Sequence, residues 1–284
     1  MNGKQGRIER LRAFQLESFD LDWESNLQRL NVKLQLPTES RFSLVVPAAP
    51  PALFNGDVET IKPVHWALVV SLNHQFGSHN VEPSADAQWD YWRNFNRKHW
   101  YPRFFRPLTQ VASSALGDSV DWTNEREYAA SHIIFVELCP YASQRFAVSA
   151  ESIQDLVDTD EGFKLAAQVT NLLIEEAEPA IVMVNGVAAI TGFQSLMRRR
   201  LTWNTCAYDS VGGASGGKTK RLWHYEGRLA GVRDIPAVGF PFLRTRSTHN
   251  SNLEVQQLGP LIRRFVADGS NEVNLSNGPH LGSQ

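Results

Sequence analysis

Four short segments of this 284-residue chain carry side chains suited to chemistry, and each one follows an apolar run. Asn73-His74-Gln75-Phe76-Gly77 follows Trp66 to Leu72. Cys139-Pro140-Tyr141-Ala142-Ser143 follows a run centred on Ile133-Ile134-Phe135-Val136. Asn185-Gly186 follows Ala180 to Val184, and Arg244-Thr245-Arg246-Ser247-Thr248-His249-Asn250-Ser251 follows Ile235 to Phe240. Amides, hydroxyls, an imidazole and guanidinium groups together can orient a polar ligand, place a water molecule and stabilise charge as it develops. Asn73 lacks the carboxylate of an Asp, so it can orient and polarise but cannot act as a strong base. Ser251 and Glu254 have the S-x-x-E spacing of a capping box, and they precede the stripe Leu258, Leu261, Ile262, Phe265, Val266. A helix opened there directs free N–H groups and the positive end of its dipole at the same place, where a phosphate fits.

The elements that must position these groups follow from periodicity. Unbroken apolar runs fit strands covered on both faces, as in a parallel sheet. Helical spacing appears between the runs, at Trp89, Trp92, Phe95 and His99, at Ile153, Leu156 and Val157 with Ser152 as N-cap, and at Leu165, Val169, Leu172 and Leu173. Alternation of this kind predicts an α/β fold, doubly wound, with three α/β/α layers around a central, mostly parallel sheet of about four strands. Ligands of such sheets bind at the carboxyl ends of the strands, which is where all four polar segments fall. Residues 1–45 read as an N-terminal helical or extended addition. A stiff Pro-rich connector, Val46 to Pro51, opens an α/β domain over 46–268, and 269–284 reads as a polar, flexible tail.

Composition narrows the function classes. With 42% hydrophobic and 20% charged residues the chain can bury a sizeable core, and a net charge of −2 means that any nucleic-acid surface must be a local concentration of cations. Two cysteines, Cys139 and Cys206, exclude a disulfide framework and a four-cysteine cluster. The N-terminus has no apolar signal region, and no run of about 18 apolar residues is present to span a membrane. The expectation is a cytoplasmic monomer with reduced thiols. No local spacing of metal ligands is visible, so the expectation is also no metal and no cofactor.

Three of the polar segments resemble motifs of the uracil-DNA glycosylase superfamily. Ser71-Leu72-Asn73-His74-Gln75-Phe76-Gly77 is similar to the first motif, a strand ending in Gly-x-Asn-Pro or Gly-x-Asp-Pro before a Gly-containing turn. His249-Asn250-Ser251 is similar to the second, His-Pro-Ser, ahead of the last helix, and Phe135-Val136-Glu137-Leu138-Cys139-Pro140 resembles the strand that carries the base-reading Asn. The likeness runs from about Ala48 to Phe265. Ser71 stands in place of Gly, His74 and Asn250 in place of Pro, and Glu137 in place of the Asn.

The resemblance implies a uracil-DNA glycosylase-like fold and a monofunctional DNA glycosylase, which flips a nucleotide, hydrolyses its N-glycosidic bond and leaves an abasic site. It implies Asn73 and His249 as catalytic, the first positioning the water and the second bonding the base carbonyl. Glu137, Tyr141, Phe76, His74 and Asn185 then bind the base, with Tyr141, in a loop beside a Pro, as the stacking aromatic. Ser251, Arg244, Arg246, Arg198, Lys218 and Lys220 face DNA phosphates, aided by basic residues interleaved with aromatics from Trp89 to Arg106. Gly212 to Thr219 fits G-x-x-x-x-G-K-T, but polar residues precede it and no helical pattern follows, so a Gly-rich loop over the DNA is expected rather than a P-loop. Glu137 favours a cytosine derivative over uracil, because a carboxylate accepts from the N4 amino group and repels O4. A C5-substituted cytosine such as glucosylated hydroxymethylcytosine, in phage DNA, is the expected substrate, and anti-phage defence the expected biology. The alternatives are a catalytically weak nucleic-acid-binding module on the same fold, and a uracil or damaged-base repair enzyme. Asn73→Ala and His249→Ala are each expected to slow base release by about 10²-fold or more with unchanged melting temperature, as loss of one transition-state donor does. Release of free base from modified DNA, followed by mass spectrometry, measures this.

Overall fold

A computed structural model describes residues 3–36, 43–44, 53–75, 84–121, 123–143, 150–210, 219–231, 233–243 and 252–271. The four apolar runs form β1 (Ala67–Gln75), β2 (Ile133–Ser143), β3 (Ile181–Asn185) and β6 (Ile235–Phe240), all mutually parallel. Two more strands, β4 (Asn204–Ser210) and β5 (Lys220–Leu229), add an antiparallel hairpin beside β6, so the sheet is six-stranded and mixed, in the order β2-β1-β3-β6-β5-β4. The expectation of about four strands is corrected by this hairpin. Its strands escape the apolar-run criterion because β4 is largely exposed and β5 buries only alternate positions along much of its length. The hairpin also settles the P-loop pattern. Gly212 to Lys218 lies outside the described residues, but it joins two antiparallel strands, whereas a P-loop leads from a strand into a helix.

Helices cover both faces. On one, α5 (Pro102–Leu116), α6 (Glu125–His132) and α10 (Asn252–Asn271) pack on Val69, Phe135, Met183 and Val238. On the other, α1 (Gly3–Asp20), α3 (Ala85–Arg93), α8 (Glu161–Glu176) and α9 (Val187–Leu196) pack on Leu68, Val136, Val182 and Ala237. Neighbouring residues of each parallel strand thus fall into opposite clusters, the period of two expected for strands buried on both sides. A short turn, α4 (Phe95–Lys98), follows α3, and α7 (Ala150–Thr159) precedes α8. Ser152 lies inside α7 rather than at its N-cap, and α10 runs to Asn271, three residues into the predicted tail.

The helices of the first face run against the strands. Phe105, near the start of α5, packs edge-to-face on Phe135 at 5.0 Å, while Asp118, just past its Gly117 C-cap, reaches His65, which precedes β1. In α10, Glu254 of the first turn pairs with Lys220, whereas the Phe265 carbonyl accepts from Arg228, which sits opposite Pro236 at the start of β6. Both helices therefore begin at the carboxyl edge of the parallel strands.

The outer edge of β2 is covered twice. Asn55 forms a two-bond bridge with Phe135, and α2 (Trp23–Lys33) closes over the strand end. That closure depends on Tyr141, which is fully buried within β2 and not in a loop. Its ring meets Trp23 edge-on at 5.4 Å and Phe163 at 5.8 Å. Its hydroxyl donates to Asp160 Oδ1 at 3.0 Å and accepts from Asn26 Nδ2, and Asp160 also caps α8 through the Phe163 N–H. Gly162 is required beside it, because a Cβ there would meet the Tyr141 ring carbon at 2.8 Å. Tyr141→Phe is expected to destabilise the chain by about 1–3 kcal/mol in chemical denaturation, the cost of leaving buried partners unsatisfied.

Candidate functional site

The chain runs from β1 to β2 on one side and then crosses to β3 on the other, so a crevice opens between β1 and β3 at their carboxyl ends. Three polar side chains lie in a row across it. Ser71 of β1 is in register with Glu137 of β2, and Asn185 follows Val184, which is in register with Val70. By strand alternation all three point to the face covered by α5 and α10, one step beyond Val69, Phe135 and Met183. Neighbouring strands lie about 4.8 Å apart, so the row spans about 10 Å.

The row is under-satisfied for its burial. Ser71 is 7% exposed and Asn185 3% exposed. Asn185 Oδ1 accepts from the Leu243 N–H at 2.7 Å, which fixes the amide and turns its NH2 group away from that bond. The Asn185 Nδ2 and Ser71 Oγ atoms are sealed from solvent and have no hydrogen-bond partner among the described residues. Buried polar groups of this kind cost stability unless a ligand or water meets them. Glu137 keeps some accessible surface, yet its Oε2 is sealed, and burial pushes the carboxyl up to about 8. At neutral pH it is mostly an uncharged acid, able to donate one hydrogen bond and accept others.

The rim adds two features. The first turns of α5 and α10 bring their positive dipole ends to this edge. Aromatic surface lies there too: Tyr101, at the N-cap of α5, is 53% exposed and stacks on Phe105, and Phe242, just past β6, is 36% exposed. Neither Ser71 nor these two aromatics stands out by residue type in the sequence. By position, Ser71 had a signal as the residue in place of the motif Gly, and Phe242 as part of the stretch after the fourth apolar run.

The predicted site residues divide. Glu137 and Asn185 are brought into the row. Asn73 and His74 lie on β1 just beyond Ser71, with the Asn73 backbone paired with Cys139. Phe76, Arg244, Arg246, His249, Ser251 and Lys218 lie outside the described residues. Tyr141 is corrected: both the ring and the hydroxyl are consumed by packing under α2 and α8, so no face is open to a base. Arg198 is also corrected. It is exposed, but α9 carries the chain back across the sheet, and Arg200 bonds the carbonyl of Ala230, just past β5, placing this basic run at the opposite edge. Lys220 is near the right edge, but its ammonium pairs at 3.5 Å with Glu254, which is 2% exposed.

Much of the basic stretch from Trp89 to Arg106 is likewise spent inside the protein. Arg93 bonds Asp57 and Glu59, Arg97 bonds Glu127 and Asp57, and Arg106 holds Glu125 through two nitrogens. A groove of about 550 Å³ between α1 and Glu59 lies away from the row and is lined by Lys4, Glu9 and Arg12, of which Arg12 pairs with Asp86. Folding also brings together residue types that could ligate a metal, which bears on the expectation of no metal without deciding it. Folding gathers His65, Asp118 and His132, and separately Cys206, His224 and Glu226, from spacings that no sequence pattern announces. Among the described residues no helix is long and apolar enough to cross a membrane.

Comparison of the chain with protein-family models and with curated proteins returns no match. The site therefore stands on its own geometry.

Glu137 makes stability depend on pH in a definite direction. Its folded value lies above the ordinary carboxylate value of 4.5, so between about 4.5 and 8 the folded state binds more protons than the unfolded state. Its contribution to stability is complete below 4.5 and is lost as pH rises towards 8. Glu137→Gln removes this loss, and the variant should be more stable than wild type by about 1–3 kcal/mol at pH 8 but not at pH 4.5. Denaturant melts at the two pH values measure it, and a wild type whose stability is flat across this range would contradict the assignment.

Proposed function

We propose that the chain is a monofunctional DNA glycosylase that removes a C5-substituted cytosine. The observation that carries the reading is the placement of Glu137 in register with Ser71 and in line with Asn185 at the crevice between β1 and β3, with its carboxyl pushed up to about 8 by desolvation. A carboxylic acid donates to cytosine N3 and accepts from the N4 amino group in one plane, a pairing an ionised carboxylate cannot complete. Donation to N3 also stabilises the base as the bond from C1′ to N1 breaks and negative charge flows into the ring. The free NH2 of Asn185 and the hydroxyl of Ser71 supply further bonds to the base edge or to water. Asn73, two residues beyond Ser71, is the group proposed to orient the attacking water, and His249, between β6 and α10, the group proposed to meet the base carbonyl.

Tyr101 and Phe242 take over the stacking role first assigned to Tyr141, since exposed aromatics at the rim can hold an extruded base. The positive ends of α5 and α10 offer anion sites for the flanking phosphates, which matters because several nearby arginines are already paired. A neutral acid can also pair with uracil, so preference for cytosine rests on the alignment of N3 and N4 rather than on charge. The second reading is a binding module of low catalytic power. The internal pairing of Arg93, Arg97, Arg106 and Lys220 favours weak, site-limited contact with nucleic acid over tracking along a duplex.

The test is base release from DNA containing uracil, cytosine, hydroxymethylcytosine or glucosylated hydroxymethylcytosine. The reading expects release from the modified cytosines, constant below about pH 8 and falling about 10-fold per pH unit above it as Glu137 loses its proton. Glu137→Gln should abolish that fall. Retention of all four DNAs without any base release would favour the binding module, and efficient release of uracil alone would overturn the cytosine assignment.

A further inference from the structure

At the other end of the sheet, His65, Asp118 and His132 converge from three elements far apart in sequence. His65 ends the turn before β1, Asp118 follows the C-cap of α5, and His132 closes α6 immediately before β2. Their ligand atoms lie within 4.8 Å of one another, and His65 Nε2 stands 3.5 Å from Asp118 Oδ2. All three keep partial access to solvent. From this geometry we propose that His65, Asp118 and His132 form a binding site for a first-row divalent metal ion, with Zn(II) as the best fit.

Two imidazoles and a carboxylate are the donor set of a three-ligand zinc site with one position left to water. Around a tetrahedral ion with bonds of about 2 Å, ligand atoms sit about 3.3 Å apart. The observed separations need only a small closure, which side-chain rotation at a partly exposed site supplies.

The surroundings orient the ligands as metal sites do. His132 Nδ1 lies 3.2 Å from the Tyr128 carbonyl. Ser131 Oγ lies 3.0 Å from the same nitrogen, and in the tautomer that donates Nδ1–H to the carbonyl, Nε2 keeps its lone pair. The Tyr128 ring stacks on His132 at 4.3 Å with the planes 10° apart, which locks the imidazole, and the Tyr128 hydroxyl donates to Asp118 Oδ2 at 2.7 Å. One tyrosine thus fixes two ligands. The second cluster, Cys206, His224 and Glu226, is a weaker candidate. There His224 bonds Glu226 at 2.8 Å and the Cys206 thiol bonds the same carboxylate, so the three groups already satisfy one another.

Bound metal would join the start of β1, the end of α5 and the start of β2, and stabilise the fold by mass action. The experiment strips the full chain with a chelator and titrates it with Zn(II) in competition with a chromophoric chelator, then repeats the titration with Co(II). The expected result is one ion per chain, a raised melting temperature, and no thiolate-to-cobalt charge-transfer band. His65→Ala and Asp118→Asn should each weaken binding by about 10-fold or more, and Tyr128→Phe by about 10-fold, while Cys206→Ser leaves it unchanged. The His65 side chain is 43% exposed and precedes the sheet, so its removal spares the core, and melting of each metal-free variant checks the fold. Absence of stoichiometric Zn(II) binding, binding indifferent to both His65→Ala and Asp118→Asn, or binding that follows Cys206 would each overturn the proposal.

Discussion

Four parallel strands covered by helices on both faces leave little room for polar side chains except where the sheet stops. Along β1 the residues from Ala67 to Val70 are fully buried and apolar, and the first polar residue is Ser71. The same change occurs at Glu137 in β2 and at Asn185 in β3, in one transverse row. Parallel register is what makes the coincidence useful: it turns three separate strand endings into one line of donors and acceptors. The crossing of the chain from β2 over β1 to β3 then leaves the line open to a ligand.

Burial sets the chemistry of that line by removing charge. With its carboxyl pushed up to about 8, Glu137 is mostly protonated at neutral pH, so the row presents a hydroxyl, a largely protonated carboxyl and an amide. The same economy governs the cations. Asp57 and Glu125 are buried and carry arginine partners, and Glu254 is held by Lys220, since a buried carboxylate without a partner would cost several kcal/mol. Arginines that read in the sequence as a phosphate-binding surface are thereby committed to holding helices in place. Counting cations along a chain cannot separate these two uses, because the carboxylates concerned lie 19 to 40 residues away from their partners.

Legibility followed the same physics. Apolar runs announce strands buried on both faces, so β1, β2, β3 and β6 and their polar ends could be read directly, whereas their order in the sheet could not. The β4–β5 hairpin could not, since a half-exposed strand such as Asn204–Ser210 looks like a polar connector. Glu137 was legible as a polar residue inside an apolar strand, though its facing needed Val136 and Leu138 to be placed in the opposite cluster. Tyr141 was misread because a Pro beside it suggested a loop. At a sheet edge Pro140 costs no essential ladder bond, and the strand continues through it. The convergence of His65, Asp118 and His132 depends on where α5 ends, which no local pattern encodes.

The direction of α5 separates the two ends of the molecule. Its 15 residues extend about 22 Å, from the exposed Tyr101 at the rim of the polar row to Gly117 beside the His65 cluster. An ion at that distance is too far to polarise a bond at the row, and salt screens exposed charges over about 10 Å. Metal bound by His65, Asp118 and His132 can therefore act on the row only by fixing the helix that lines it. The base release proposed for the row and the ion binding proposed for the far edge would then be independent in chemistry and linked in stability, so removing the ion should lower the temperature at which any base-releasing activity is lost while leaving its rate and pH profile in the cold unchanged.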